Sequence, residues 1–160
     1  MLKDFQKDLE AARSAERLVL ELLQSKCPRF IFEDVSDNIF CRYKGDIKAT
    51  SKELGIELYI EVKCDSRIAD TGRVLCEEQV FIKDLNDFQK GNMYCKSDFY
   101  CVVSKSERLV YIFDFQKLKE NYKKYGEFKI IEHYDQDTYC YLLDLCWCKS
   151  KGALLYKLSY

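Results

Sequence analysis

Gly45-Asp46 and, after a polar break, Ile56-Glu57-Leu58-Tyr59-Ile60-Glu61-Val62-Lys63 bring an aspartate, a glutamate and a lysine into a spacing that supports chemistry. The second segment alternates strictly: Ile56, Leu58, Ile60 and Val62 point to one face, and Glu57, Tyr59, Glu61 and Lys63 to the other, the period-2 pattern of a half-buried strand. Glu61 and Lys63 are therefore neighbours. If Asp46 starts the preceding strand of an antiparallel pair, its carboxylate lies beside that of Glu61, giving two hard oxygen ligands for a divalent ion next to an ammonium group. Mg2+ or Mn2+ needs only one or two protein carboxylates, because waters and substrate phosphate oxygens complete the shell. The ion would polarise the phosphoryl oxygen and lower the pKa of a bound water, and Lys63 would orient that water or stabilise charge on the phosphorus. Beside the cation Lys63 is expected to lose some proton affinity. Lysine suits the place because its ammonium is compact and responsive to its surroundings, whereas arginine stays charged and presents a planar fork. Phosphodiester hydrolysis is the reaction these groups can run.

A plainer reading makes Glu57, Glu61 and Lys63 the solvated face of an edge strand, with a weak surface ion pair. Three features favour the site. The apolar half of the strand is long enough for a central position, and Gly45-Asp46 opens a strand-like run. The third is Glu16. Lys3 to about Ser25 reads as an amphipathic helix with Phe5, Leu9, Ala12, Val19 and Leu23 as its buried stripe, and Glu16 falls inside that stripe, while Lys7, Glu10, Arg13, Arg17 and Glu21 take the far side. A carboxylate on the buried face needs a partner, either Arg42 in a salt bridge or the metal site.

Strands are expected at about 38–43, 45–50 and 56–64, with Gly45 as the turn or bulge that aims Asp46. A polar loop follows at 66–72. Residues 75–90 carry Phe81, Leu85 and Phe88 at i, i+4, i+7 before Gly91-Asn92 and are read as a helix. Two hairpins follow, 99–113 around Ser104-Lys105-Ser106-Glu107 and 127–145 around Asp135-Gln136-Asp137, separated by a short helix at 115–124. Residues 153–160 supply a last edge strand. Asp-Phe-Gln-Lys occurs at Asp4, Asp87 and Asp114 with unequal spacing, so it is a coincidence within helices, not a repeat. The order indicates a single α+β domain over residues 1–160, with one mixed central β-sheet flanked by helices.

At 160 residues the chain is long enough to bury a core without staples. With 26 Lys and Arg against 27 Asp and Glu it has no global basic field, so nucleic acid would need a local patch. Nine cysteines is an odd number, and no apolar signal segment precedes the first helix. Cys146-Trp147-Cys148 stands in place of any CxxC, and one histidine, His133, gives no convincing zinc set. A reduced, cytoplasmic protein with buried thiols is expected, without a membrane span.

The Asp46 and Glu61-Val62-Lys63 pattern, with Glu16 upstream, resembles the restriction-endonuclease-like or PD-(D/E)xK nucleases, a superfamily that includes restriction enzymes, Holliday-junction resolvases and phage or mobile-element nucleases. The motifs cover about the first half of the chain, and Gly45 stands where the name-giving proline would be. The resemblance implies a restriction-endonuclease-like αβββαβ core with its site at a split in the sheet. Glu16, Asp46, Glu61 and Lys63 would be catalytic, and the Val62 carbonyl would join Asp46 and Glu61 on the metal. It also supplies DNA as the substrate, with RNA left open, and suggests a homodimer. Arg67, Thr71 and Arg73, in the loop after the catalytic strand, are candidate phosphate contacts. Tyr59 is a candidate wall of the site, whereas Tyr94, Tyr100, Tyr139 and Tyr141 are assigned to the core or a dimer contact. Glu77 and Gln79 are both candidates for an additional site residue, and spacing does not choose between them. The rivals are a catalytically inactive nuclease fold that binds nucleic acid or protein, a plain interaction protein, and thiol chemistry through His133.

Overall fold

The structure, a computed structural model, describes residues 2–41 and 43–160, and the side chains of these except 2–5 and 8. Arg42, considered above as a partner for Glu16, lies outside the described residues, as does the Phe5 side chain. The order is α1 (Leu2–Lys26), β1 (Ile31–Asp34), β2 (Ile47–Ser51), β3 (Ile56–Cys64), α2 (Ile68–Thr71), β4 (Arg73–Ile82), β5 (Asp87–Lys90), β6 (Phe99–Ser104), β7 (Leu109–Asp114), α3 (Phe115–Tyr125), β8 (Glu127–Glu132), β9 (Gln136–Asp144), α4 (Leu145–Ser150) and β10 (Leu154–Ser159). The class is α+β, as expected.

The central sheet has six strands in the order β1-β2-β3-β6-β7-β10. It is mixed because β3 and β6 run parallel while the other pairs are antiparallel. A second sheet of four strands, β5-β4-β9-β8, was not expected. It arises because residues 75–90 are not a helix. β4 and β5 form a hairpin in which Phe81 pairs with Phe88 across the strands, ring centroids 4.9 Å apart. The seven-residue interval that mimics two helical turns is here two strand ends and a turn, closed at Asn86 with φ 49°. β5 is the Asp87 copy of Asp-Phe-Gln-Lys, so that tetrapeptide is not confined to helices.

Residues 38–41 and Tyr43 lie in turns instead of the expected strand. Asn38 accepts the Phe40 amide on its side chain at 3.0 Å, and the Cys41 and Lys44 amides donate back to Asn38 and Cys41. Ile39 and Phe40 are left 78% and 84% exposed. The outer position of the meander belongs to β1 instead.

Two apolar clusters use the two faces of the central sheet. On one face, Ala15, Val19, Leu22 and Leu23 of α1 cover Ile47, Ile60, Val62, Cys101 and Ile112. On the other, Tyr100, Val102, Tyr111 and Phe113 meet Phe115 and Leu118 of α3, Cys148 of α4, and Val74, Cys76 and Leu143 of the second sheet. Leu9, expected in the α1 stripe, is exposed, so the contact face of the helix is made by its C-terminal half. Among the described residues no helix is long and apolar enough to cross a membrane.

All nine cysteines are free thiols. Burial raises the Cys95, Cys101, Cys140 and Cys148 thiols to about 11, 12, 11 and 12. Those thiols are inert at neutral pH, and His133, exposed at the β8–β9 turn, makes no hydrogen bond to a cysteine among the described residues.

Gly45 governs how β2 enters the sheet. Its φ of +141° is closed to most residues, and a Cβ there would sit 2.7 Å from both the Ile60 carbonyl oxygen and Ser97 Oγ. Gly55 also has a positive φ, +64°, but faces open space. Gly45→Ala is expected to cost about 2–3 kcal/mol and lower the melting midpoint by about 5–10 °C, against about 1 kcal/mol for Gly55→Ala. Equal losses for the two variants in urea unfolding would contradict this assignment.

Candidate active site

β2 stays with β3 only as far as the Ile47–Ile60 pair, whereas β6 follows β3 from Ile60 to Cys64. Beyond Ile60, therefore, β3 has a backbone partner on one side only. Asp46 fills the gap. Its amide donates to the Ile60 carbonyl at 2.9 Å, and its Oδ2 accepts the Val62 amide at 2.8 Å, so a carboxylate replaces the missing strand. The turn carrying Gly45-Asp46 is tied to the segment before β6: Ser97 Oγ donates to the Lys44 carbonyl at 2.5 Å and the Lys96 amide to the Tyr43 carbonyl at 2.7 Å. Asp46 is placed by both neighbours of β3.

The carboxylates feel one another. Burial pushes Asp46 up from its ordinary 3.8 to about 7, and Glu61 pushes in the same direction against the Val62 amide and Lys63. Glu61 is likewise raised, by burial first and then by Glu77 and Glu16, while the Cys95 thiol and Lys63 oppose. Glu16, half-buried on α1, is raised by burial and by Asp46 and Asp34, with the Ser36 hydroxyl opposing. The Ser36 hydroxyl itself donates to Asp34 at 2.7 Å. Among the described residues no three or more His, Cys, Asp or Glu side chains gather into a metal-binding group.

Glu77 settles the choice that spacing left open. β4 carries a bulge between Glu77 and Gln79, and the carboxylate of Glu77 reaches Lys63 Nζ at 2.7 Å. Asn92 Oδ1 accepts the Glu77 amide at 3.0 Å, and Gln79 is exposed. The bulge is backed by Gly91, whose amide donates to the Glu78 carbonyl at 2.8 Å and where a Cβ would lie 2.4 Å from the Glu77 carbonyl oxygen. Burial alone would lower Lys63, but Glu77, Glu61 and Asp65 outweigh it and hold the ammonium above its usual value. Sequence reasoning also missed Lys119 of α3, which donates to the Cys95 carbonyl and is lowered by burial.

Glu61, Lys63 and Glu77 line a cavity of about 460 Å³ whose other walls include Tyr43, Asn92 and Tyr94. Asp46 lies outside this lining, against the Val62 amide. Tyr59, expected at the wall, is turned into a surface network, donating to Glu57 Oε1 at 2.7 Å with Lys44 Nζ 5.0 Å from its ring centre. Tyr94, assigned to the core or a dimer contact, is not in the core but exposed at the cavity rim, because Gly91 leads into a short 3-10 turn at Asn92–Tyr94. Tyr100 is fully buried, as expected. Of the three candidate phosphate contacts, Arg67 is exposed beside Asp65 at 4.0 Å, and its charge reaches Cys140 on the second sheet. Thr71 Oγ1 donates to the Arg67 carbonyl at 2.8 Å, and Arg73 is paired with Glu127 at 2.6 Å. The structure leaves Arg67 exposed beside Asp65 and commits Thr71 and Arg73 to contacts within the chain.

A carboxyl raised in the folded state binds its proton more tightly there than in the unfolded chain. Its contribution to stability is therefore greatest below about pH 4 and is lost as the pH rises through about 7. In chelator-treated buffer the wild type is expected to lose stability from pH 5 to pH 8. Asp46→Asn keeps an acceptor for the Val62 amide and is expected to flatten that dependence and exceed the wild type at pH 8. Parallel pH profiles for the two proteins would show that Asp46 does not titrate as described.

No family model matches the chain, and no curated protein does. Among solved structures, a bacterial homing endonuclease, I-Ssp6803I, is similar over 79% of this chain and 74% of that one, at 13% identity and a TM-score of 0.47. Overlap of that extent assigns neither family nor activity to this chain.

Proposed function

We propose that the chain is a metal-dependent nuclease of the PD-(D/E)xK type that hydrolyses DNA phosphodiester bonds, with RNA as the alternative substrate. The observation that carries this reading is the Asp46–Glu61 pair at the parting of β2 and β3, each carboxyl raised by burial and by neighbouring acids. Two buried acids in each other's field suit a cation, and the donor set is the hard oxygen type that Mg2+ or Mn2+ prefers. Asp46 and Glu61 would hold the ion, with the Val62 carbonyl as the third protein ligand that the motif implies. When bound, the ion supplies Lewis-acid polarisation of the phosphoryl oxygen and an acidified water.

The protein's own groups do the rest. Lys63, charged and aimed by Glu77, stands beside Glu61 where an ammonium stabilises negative charge on the phosphoryl group and orients the attacking water. Glu16 adds negative potential from the α1 side, which favours cation capture. Arg67 is the exposed basic group available to a phosphate of the substrate, and a homodimer would allow two sites to cut two strands. The buried thiols suit a reducing, cytoplasmic setting.

A second reading, a catalytically inactive relative that binds nucleic acid or protein, is favoured by the engagement of Lys63 with Glu77. Supercoiled plasmid with Mn2+ separates the two. The wild type is expected to nick it, and Asp46→Asn and Lys63→Ala each to lose about 100-fold or more in rate. Saturating Mn2+ is expected to raise the melting midpoint of the wild type, by about 2.7 kcal/mol of stability at 100 times Kd, and to leave Asp46→Asn nearly unmoved. Mn2+-independent melting together with absent nicking would sink the nuclease assignment.

A further inference from the structure

The cavity beside Lys63 has walls that a phosphate site does not need. Its volume of about 460 Å³ falls in the range of small-ligand sites and is far too small for a stacked duplex. Tyr43 and Tyr94 stand on its rim, 63% and 43% exposed, and neither hydroxyl makes a hydrogen bond among the described residues. Lys90 Nζ lies 5.3 Å from the centre of the Tyr94 ring. Gln89, on the wall, also makes no side-chain hydrogen bond among the described residues.

The two rings come from distant parts of the chain and are held at one rim by backbone contacts. The Tyr43 carbonyl accepts from the Lys96 amide at 2.7 Å and from the Cys95 thiol at 3.5 Å, which binds the turn to the residues directly after Tyr94. The Tyr94 amide in turn donates to the Gly91 carbonyl at 3.2 Å, and Gly91 is fastened to the Glu77–Glu78 bulge. The rim is thus preorganised by the same contacts that place Asp46 and Glu77. Exposed aromatic rings on a rigid frame are platforms for nucleobases, which every base can use because each has a π-face.

We propose that this cavity receives a single nucleobase withdrawn from its stack, flanked by Tyr43 and Tyr94, while the adjoining phosphate lies against Lys63, so that the substrate is a single-stranded, frayed or branched nucleic acid and not an intact duplex. The inference deepens the nuclease reading above and rests on it for the role of Lys63. Lys90 supplies positive charge next to the Tyr94 face, and the Gln89 amide is available to the edge of the base. An intact duplex would have to flip a nucleotide out before its phosphate could reach the floor, at the cost of unstacking.

The test uses the Asp46→Asn full chain, to separate binding from cleavage, and a 2-aminopurine oligonucleotide presented single-stranded or fully paired. The expected result is single-strand binding about tenfold tighter than duplex binding, with a change in 2-aminopurine emission. Tyr43→Ala and Tyr94→Ala are each expected to lose about tenfold in single-strand affinity with unchanged melting midpoints, and Tyr94→Phe to retain it. Equal affinity for the two forms, or tyrosine variants that bind as the parent does, overturns the inference. If the wild type cuts duplex and single strand at equal rates and the tyrosine variants do the same, the base cavity falls and the nuclease reading stands. If single strands bind through the tyrosines while no substrate is cut, the cavity stands and the nuclease reading falls.

Discussion

The hydrogen bond from the Val62 amide to Asp46 Oδ2 is the interaction on which the site depends. A sheet cannot leave a buried amide unpaired without cost, and here the strand that should satisfy it has already turned away. The residue at the turn supplies an acceptor from its side chain instead, which draws a carboxylate into a buried place beside Glu61. The elevated proton affinity of Asp46 follows from that position. Closing the split in the sheet and assembling the acidic pair are one structural event.

The constraint propagates outward. Asp46 can lie against β3 only if the preceding residue adopts a backbone angle that a side chain would forbid, hence Gly45, and only if the turn is anchored, hence the bonds from Ser97 and Lys96 to Lys44 and Tyr43. A proline at position 45 would be held near φ −65°, incompatible with the +141° observed. Glycine at this position is a requirement of this particular turn. Charges buried in this way oppose folding, and the two apolar clusters on either face of the central sheet offset them.

The second sheet adds a wall beside the split. One of its faces joins the core beneath Tyr100 and Phe113, and its bulge turns Glu77 onto Lys63. Asp-Phe-Gln-Lys shows why this sheet escaped a reading by local pattern. At Asp114 it caps and starts α3, with Asp114 Oδ1 accepting the Lys117 amide, yet at Asp87 it is the whole of β5. Four residues cannot decide between the two. What decides is that Phe88 packs against Phe81 across the hairpin and against Tyr139 of β9, the second a contact that exists only once β9 has joined β4. The sequence left Tyr94 between the core and a dimer contact for a related reason, since a tyrosine has the composition of a core residue and only the turn after Gly91 sends it to the rim.

Where a segment's neighbours are close in the chain or its period is unbroken, local physics was enough. The alternation of residues 56–64, the amphipathic stripe near Val19, the 99–114 hairpin and the helix after Asp114 all formed as read. Residue types and spacing also determined that Glu61 and Lys63 share a face, and that Asp46 opens the strand beside them. Only the tertiary structure decided that Glu77 and not Gln79 meets Lys63, that Arg73 belongs to Glu127 and that Tyr43 and Tyr94 share a rim. Those relations join residues from separate elements, so their geometry depends on bulges, turns and sheet order that no local periodicity encodes.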